Sequence, residues 1–412
     1  MKQITKHLTT PTAKNSSLFY FGSLFINFGR YLFHLLLLRF LSPSSYGEFL
    51  SYVSLLYLLT IPSGVIQTLV SRDVSLFFGK QDFRSIKHFF YFLSPLALVP
   101  ALLISVLVIF FANPLAHLLT ADPAAFIVLS LMTITSILGA VLRSYLPALQ
   151  RFTTQVLIGF IELLILIASA YLFLIFKLGA LSGVLAMFLS SVIAILLSGY
   201  LLRSYLLPKP KKVTTFKINH IFLYSLIFSA GTLSLMSTDV LLVRYFFSSH
   251  DSGLYSALSV IGRMIFFGLT PIGSLILPIA ASRYASKQPT NSVYLKLIFS
   301  AGFLGIGAVS LFSLFPDLVV RLLSGSEYLA ITSLIPFISL TMFFLSLNQL
   351  TLSYLLAVGK ERGTYLLFFF ALLQPLLIIF IHSSLYQVIT LNLTLQLCLF
   401  ITLVIYNTLK KA

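Results

Sequence analysis

Apolar runs of twenty or more residues follow one another along nearly the whole chain, separated only by short polar loops. A run of about 20 apolar residues is what a helix needs to cross the hydrocarbon core of a bilayer. In lipid every backbone polar group must be satisfied within the spanning structure, which leaves helices and closed barrels as solutions. A barrel would need segments of about ten residues with alternating polarity, and the runs here are continuous. The sequence therefore specifies an all-α polytopic membrane protein. Composition matters at one point: only 9% of the 412 residues are charged and 58% are hydrophobic, which leaves no stretch for a sizeable soluble domain.

Twelve spans are expected, at 16–40, 48–71, 89–112, 123–147, 153–176, 180–202, 219–247, 254–279, 295–315, 329–357, 364–383 and 387–408. The first is too long for a signal-peptide core and lacks a small-residue cleavage site, so it is expected to remain as a helix. The net charge of +17 would suggest nucleic acid if it were spread over a surface, but it is clustered at alternate loops, as the positive-inside rule describes. One side carries Lys2, Lys6 and Lys14, then Arg72, Lys80, Arg84 and Lys87, then Arg143 and Arg151. The same side continues with Arg203 to Lys217, Arg283, Lys287, Lys296, Lys360, Arg362, Lys410 and Lys411. The other side carries only Arg39, Lys177, Arg244 and Arg321, of which the arginines are expected to snorkel to headgroups. Both termini are therefore expected in the cytoplasm of a prokaryotic cell, with the chain in its plasma (inner) membrane. The single cysteine, Cys398, lies in the last apolar run and excludes a disulfide framework or thiol-rich metal site.

The longest basic, proline-bearing stretch, Arg203 to Lys217, divides the spans six and six. The expected organisation is a six-helix lobe over 1–202, a cytoplasmic linker over 203–218 and a second lobe over 219–412. An internal repeat supports that division. Ser144-Tyr145-Leu146-Pro147-Ala148-Leu149-Gln150-Arg151 matches Ser353-Tyr354-Leu355-Leu356-Ala357-Val358-Gly359-Lys360. Arg39 through Gly47 resembles Arg244 through Gly253, and Ser71-Arg72 resembles Ser282-Arg283, at nearly the same offset. With six spans per lobe, the two halves insert the same way up, related by an axis along the membrane normal.

Leu38-Arg39-Phe40-Leu41 followed by Ser42-Pro43-Ser44-Ser45-Tyr46-Gly47-Glu48-Phe49 resembles the opening of the polysaccharide (Wzx-like) flippases. These belong to the multidrug/oligosaccharidyl-lipid/polysaccharide exporter superfamily. Asp239 through Arg244, Ser252 through Ala257, Ala357 through Lys360 and Leu149-Gln150-Arg151 carry the same resemblance across the whole chain. It implies two pseudo-symmetric six-helix bundles around a V-shaped central cavity. It also implies movement of an undecaprenyl-pyrophosphate-linked oligosaccharide, such as an O-antigen repeat unit, from inner to outer leaflet. Partners would be that lipid-linked oligosaccharide, membrane lipids, a polysaccharide polymerase and glycosyltransferases, with no nucleic acid. Lipid II flippases of the superfamily carry two additional helices, for which this chain has no residues.

Ser23, Asn27, Arg30 and His34 recur at helical spacing, so they line one face of the first span. An arginine at membrane depth costs at least about 2.5–3.5 kcal/mol and normally faces a wet cavity or a partner. Its fork of N–H groups grips two oxygens of a pyrophosphate at once. Arg263 is the counterpart at depth in the second half, with Ser256, Ser259, Thr270 and Ser274 along its face. The competing reading neutralises each arginine with a buried acid or with carbonyls, and reads Asn27 and His34 as interhelical glue. Asp239, at the end of a stripe through Ser225, Ser229, Thr232 and Met236, and Glu162, in mid-span, are the two acids inside spans. Either binds a coupling Na⁺ or H⁺ or else bridges to Arg30 or Arg263, and the sequence leaves both readings open. Asn348, Gln349 and Gln374 read as cavity lining or glue. Pro62, Pro271, Pro278 and Pro375 permit kinks, and the loop Arg72–His88 mixes aromatic and basic residues as an interfacial segment does.

No P-loop, GxGxxG, HExxH or paired-cysteine motif is present, so no enzyme and no other cofactor is expected. Asn15-Ser16-Ser17 and Asn392-Leu393-Thr394 match the glycosylation sequon by chance. The alternative function on the same fold is a cation-coupled exporter of small molecules and drugs, the MATE type, whose cationic cargo would prefer an acid-lined cavity. A membrane polymerase or ligase would need a large outer loop, and none is expected here.

Overall fold

The computed structural model describes residues 11–207 and 221–409. The basic residues Lys209 to Lys217 and those of the two chain ends lie outside the described residues. So do the side chains of Lys14, Asn15, Ser274, Pro278 and Ser282.

Fifteen α-helices account for almost all of the described chain: α1 (Pro11–Phe40), α2 (Pro43–Leu59), α3 (Ile61–Gly79), α4 (Phe83–Phe110), α5 (Ala112–Leu118), α6 (Pro123–Ala148), α7 (Phe152–Ile175) and α8 (Leu181–Leu206). After the linker come α9 (Ile221–Phe246), α10 (Ser249–Ala285), α11 (Asn291–Leu314) and α12 (Pro316–Leu323). A 3₁₀ stretch (Ser326–Leu334) leads into α13 (Ile335–Ala357), and α14 (Gly363–Phe380) and α15 (Leu385–Leu409) follow. Ten of these helices are long and apolar enough to cross a membrane, and α2 with α3 form an eleventh span bent by 49°. The 30-residue α1 lies at the position of the first expected span and is not among these eleven. Phe110, Phe299, Phe303 and Phe380 point outward, more than 70% exposed. Such a surface is stable only against lipid.

Local chemistry sets the helix ends. Asp82 accepts the backbone N–H of Ser85 at the start of α4 and Asp122 that of Ala124 at the start of α6. Hydrogen bonding to Ser85 also holds the Asp82 carboxyl below its ordinary range. Gly359, at φ +72°, ends α13 in the left-handed region that costs glycine nothing. Pro62 stands in the first turn of α3, just after the bend at Thr60, so the kink expected there is real. Pro271 does not break α10, which runs 37 residues, and Pro375 lies inside an unbroken α14. The short helices α5 and α12 had no counterpart in the expected spans. Each follows the third span of its half.

The chain forms two compact units. One contains the residues up to Leu37 with Leu59–Leu226, the other Leu38–Leu58 with Ile227–Ala412. The last turn of α1 and all but the final residue of α2 therefore pack with the second half, which departs from an organisation that keeps 1–202 together. In the first unit α6 packs against α3, α4 and α8, and α7 packs against α8. In the second unit α13 packs against α10, α11 and α15, and α14 packs against α15. The same arrangement occurs twice, and the repeat at Ser144 and Ser353 falls at the C-terminal end of each central helix.

The expectation that Arg39 and Arg244 snorkel to headgroups is not met. Arg39 donates to the carbonyl oxygens of Arg321 and Leu322 at 2.7 and 2.9 Å and so satisfies the end of α12. Arg244 is buried and donates to Ser252 Oγ at 3.0 Å. Helix carbonyls and a hydroxyl replace lipid phosphate as their partners.

Candidate functional site

A cavity of about 430 Å³ opens within the first unit. Four helices supply its walls, each with lining residues one or two turns apart on one face. α1 contributes Ser23, Asn27 and Arg30, and α3 contributes Ser63, Gly64 and Gln67. α6 contributes Ser136, Arg143 and Ser144, and α7 contributes Gln155, Gly159 and Glu162.

Glycines let α1 and α7 approach closely enough to build it. A β-carbon on Gly29 would lie 2.2 Å from Leu163 Cδ2, and one on Gly159 would lie 2.7 Å from Ile26 Cδ1. That approach brings Arg30, the neighbour of Gly29, against Glu162, the neighbour of Leu163. Arg30 Nη2 lies 3.3 Å from Glu162 Oε2, and Arg143 Nη1 lies 3.1 Å from Glu162 Oε1. One carboxylate thus bridges two guanidiniums from three different helices. Its side chain is only 12% exposed, whereas those of Arg30 and Arg143 are 51% and 31% exposed toward the cavity. The three formal charges sum to one net positive. Gln155 Oε1 on α7 and Ser63 Oγ on α3 are buried without a hydrogen-bond partner.

Of the stripe on the first span, Ser23, Asn27 and Arg30 line the cavity. His34 does not line it; it is half-buried, with its ring 5.4 Å from that of Phe33. The bridge between Arg30 and Glu162 that the sequence left open is formed. Arg143, counted with the basic residues of the inner side, lies within the expected span 123–147; the helix runs to Ala148, so Arg143 sits more than a turn inside it and faces the cavity. Its signal was present in the sequence as Ser136, Ala140 and Arg143 at helical spacing.

The second unit holds a buried polar network. Asp239 Oδ2 accepts from Tyr255 Oη at 2.6 Å and from Asn392 Nδ2 at 3.3 Å, while Oδ1 accepts the backbone N–H of Val240. Gln374 donates to Asn392 Oδ1 and to the carbonyl of Leu235. Arg263 is 4% exposed and donates to the carbonyl of Met236 at 2.6 Å, and its Nε has no partner. Its guanidinium centre lies 5.9 Å from the ring of Tyr57. The carbonyl-capped reading of Arg263 is thus the observed one. Ser259 is fully buried with its hydroxyl unpartnered. Asn348 donates to the carbonyl and side-chain oxygens of Gln396 and joins α13 to α15, as glue. Tyr255 and Asn392 were not foreseen as partners of Asp239, because they lie on other helices, 16 and 153 residues along the chain. Among the described residues no group of three or more His, Cys, Asp or Glu is placed to hold a metal ion.

Paired bundles of membrane-spanning helices with a charged internal cavity define a transporter of the multi-pass membrane class, and the likeness to known proteins agrees. The chain belongs to the polysaccharide biosynthesis protein family, whose model matches residues 36–333. Its fold is that of the multidrug/oligosaccharidyl-lipid/polysaccharide exporter (MOP) superfamily. An inward-facing multidrug resistance MATE family transporter of that superfamily superposes with a TM-score of 0.71 at 14% identity, over 93% of this chain and 95% of the other. A MOP superfamily transporter from Pyrococcus furiosus gives 0.68 at 15% identity, over 96% and 94%. An outward-facing MATE family transporter gives 0.65 at 15% identity, over 99% and 98%. No curated protein sequence matches the chain.

Proposed function

We propose that the chain is a flippase that moves a polyprenyl-pyrophosphate-linked oligosaccharide from the inner to the outer leaflet of a prokaryotic plasma membrane. It works by alternating access, with both termini cytoplasmic, for the assembly of a surface polysaccharide. The observation that carries this reading is the cavity lined by Arg30, Arg143, Asn27 and Ser23, whose net charge suits an anionic headgroup. Membership of a polysaccharide biosynthesis family supports the sugar-bearing part of the cargo. Partner enzymes in this reading are the glycosyltransferases that build the repeat unit and the polymerase that consumes it.

The second unit adds a buried acid. Asp239 is the group we assign to a coupling Na⁺ or H⁺, because it is a buried carboxyl whose side-chain hydrogen-bond partners, the Tyr255 hydroxyl and the Asn392 amide, are neutral. Arg263, Ser259 and His34 enter the substrate path in this proposal only if the transport cycle exposes them.

A MATE-type exporter of cationic drugs is the second reading, favoured by the solved structures the fold resembles. The cavity argues against it, since two arginines and one glutamate repel a cation. For the Pyrococcus furiosus transporter, reversed polarity of the binding pocket is likewise said to suggest a different function.

The test is complementation. The wild-type chain should restore surface polysaccharide to a flippase-deficient strain, and Arg30→Ala should insert normally yet fail to do so. Full activity of Arg30→Ala, or drug export by the wild-type protein without complementation, would remove this reading.

A further inference from the structure

Among the described residues, the cavity's two arginines have one polar partner between them, and it is the same one. Glu162 meets Arg30 through one oxygen and Arg143 through the other. A phosphate offers the same thing to two guanidiniums: oxygens on one anionic centre, each taking a separate N–H donor. We propose that Glu162 is a built-in stand-in for the substrate's phosphate, holding the Arg30–Arg143 pair in the empty site and yielding it when the phosphate arrives. The proposal rests on reading this cavity as the headgroup site. It gives Glu162 the role of counter-ion in place of coupling-ion ligand.

Three features of the site support the exchange. Each guanidinium carries five N–H donors and commits only one nitrogen to Glu162, so an incoming anion can bind the free donors before the carboxylate leaves. Arg30 and Arg143 remain well exposed toward the cavity while Glu162 lies behind them at 12%, so the anion approaches from the arginine side. The hydroxyl of Ser63 on α3 and the amide oxygen of Gln155 on α7, buried without partners among the residues that line the cavity, supply a donor for phosphate and an acceptor for a sugar or diphosphate-bound proton.

The exchange explains why a carboxylate belongs in an anion site at all. Two bare guanidiniums in a low-dielectric wall repel each other, and they would hold a multiply charged headgroup too tightly to release it on the far side. With Glu162 as competitor, binding replaces one ion pair by another, and the returning carboxylate helps to expel the product. A transporter needs the site to be easy to fill and equally easy to empty.

The test uses the full-length protein in detergent or nanodiscs and inorganic pyrophosphate as probe, read by calorimetry. Glu162→Gln preserves shape and a hydrogen-bond acceptor but removes the competing charge, and it should bind pyrophosphate at least about tenfold more tightly than wild type. Arg143→Ala and Arg30→Ala should each bind at least about tenfold more weakly. Glu162→Asp, one methylene too short to span both arginines, provides a second variant and should also bind more tightly. If whichever of the two Glu162 variants inserts and folds binds pyrophosphate no more tightly than wild type, the proposal is overturned. Tightening by Glu162→Gln, with a wild-type chain that fails to complement a flippase-deficient strain, would uphold the exchange and remove the flippase reading. Complementation by the wild-type chain with no tightening in the variants would remove the exchange alone.

Discussion

Gly253 and Pro43 touch backbone to backbone. A β-carbon on Gly253 would lie 1.9 Å from the carbonyl oxygen of Pro43, and one on Gly47 would lie 2.8 Å from the α-carbon of Gly253. The starts of α2 and α10 therefore cross at a point where no side chain fits. Both segments lie in the second unit, which explains in part why Leu38–Leu58 packs with the later half of the chain. It also gives a physical reason for the repeated glycine in Ser45-Tyr46-Gly47 and Asp251-Ser252-Gly253.

Gly253→Ala should therefore destabilise the protein. The obstacle is backbone, which cannot swing aside like a side chain, and overpacking of this kind costs about 1–3 kcal/mol. Thermal unfolding in detergent should show a lowered midpoint, and Gly268→Ala, where nothing lies within 4 Å, should not. Equal stability of the two variants would mean that α2 and α10 are not locked at this crossing.

Arg143 should matter as much as Arg30. Arg143→Ala leaves Glu162 with one partner and removes half of the anion-binding pair, and each charge-assisted hydrogen bond is worth about 1.5–3 kcal/mol. Transport should fall by at least about tenfold. Arg143→Lys keeps the charge but not the planar fork, so it should recover only part of the activity. A complementation assay scored beside membrane abundance separates this from misfolding. Wild-type transport by Arg143→Ala would place the substrate elsewhere.

How much of this was legible in the sequence differs from residue to residue. The all-helical membrane fold and the stripe Ser23–Asn27–Arg30 followed from hydrophobic run length and helical period, both properties of one segment. Arg143 was not singled out as a site residue because it was counted with the basic residues at the inner ends of spans, although the expected span 123–147 already contains it. Arg39 and Arg244 were read as lipid anchors because their partners, the carbonyls of Arg321 and Leu322 and the hydroxyl of Ser252, belong to other helices. The same limit hid Tyr255 and Asn392 behind Asp239. Short motifs do not encode which helices become neighbours, and four-helix sites depend on that.

The close contact of Gly29 with Leu163 should control the ion pair beside it. A methyl at Gly29 meets Leu163 Cδ2 at 2.2 Å and Cγ at 3.0 Å, so either Leu163 moves or α1 lifts from α7. Lifting α1 carries Arg30 away from Glu162. Gly29→Ala should therefore lower transport, and Leu163→Ala in the same chain should restore it by making room. The double-mutant cycle would show coupling of about 0.5–3 kcal/mol between the two positions, read from thermal stability. Additive effects would mean that packing here does not position Arg30.

Asp239 offers a different kind of test, because it is 2% exposed and its partners are neutral hydroxyl and amide groups. Asp239→Asn keeps the size of the side chain and one acceptor oxygen, so packing is preserved while the charge is lost. If Asp239 takes up the coupling ion, the variant should insert normally, lose most transport, and lose the dependence of transport on an imposed Na⁺ or H⁺ gradient. Asn392→Ala should weaken the same dependence without abolishing it, since it removes a neighbour and leaves the carboxylate. If Asp239 is only structural, Asp239→Asn should shift the unfolding midpoint while the gradient dependence of the remaining transport stays that of wild type. The two roles thus separate on one measurement, transport against ion gradient in proteoliposomes, with stability recorded beside it.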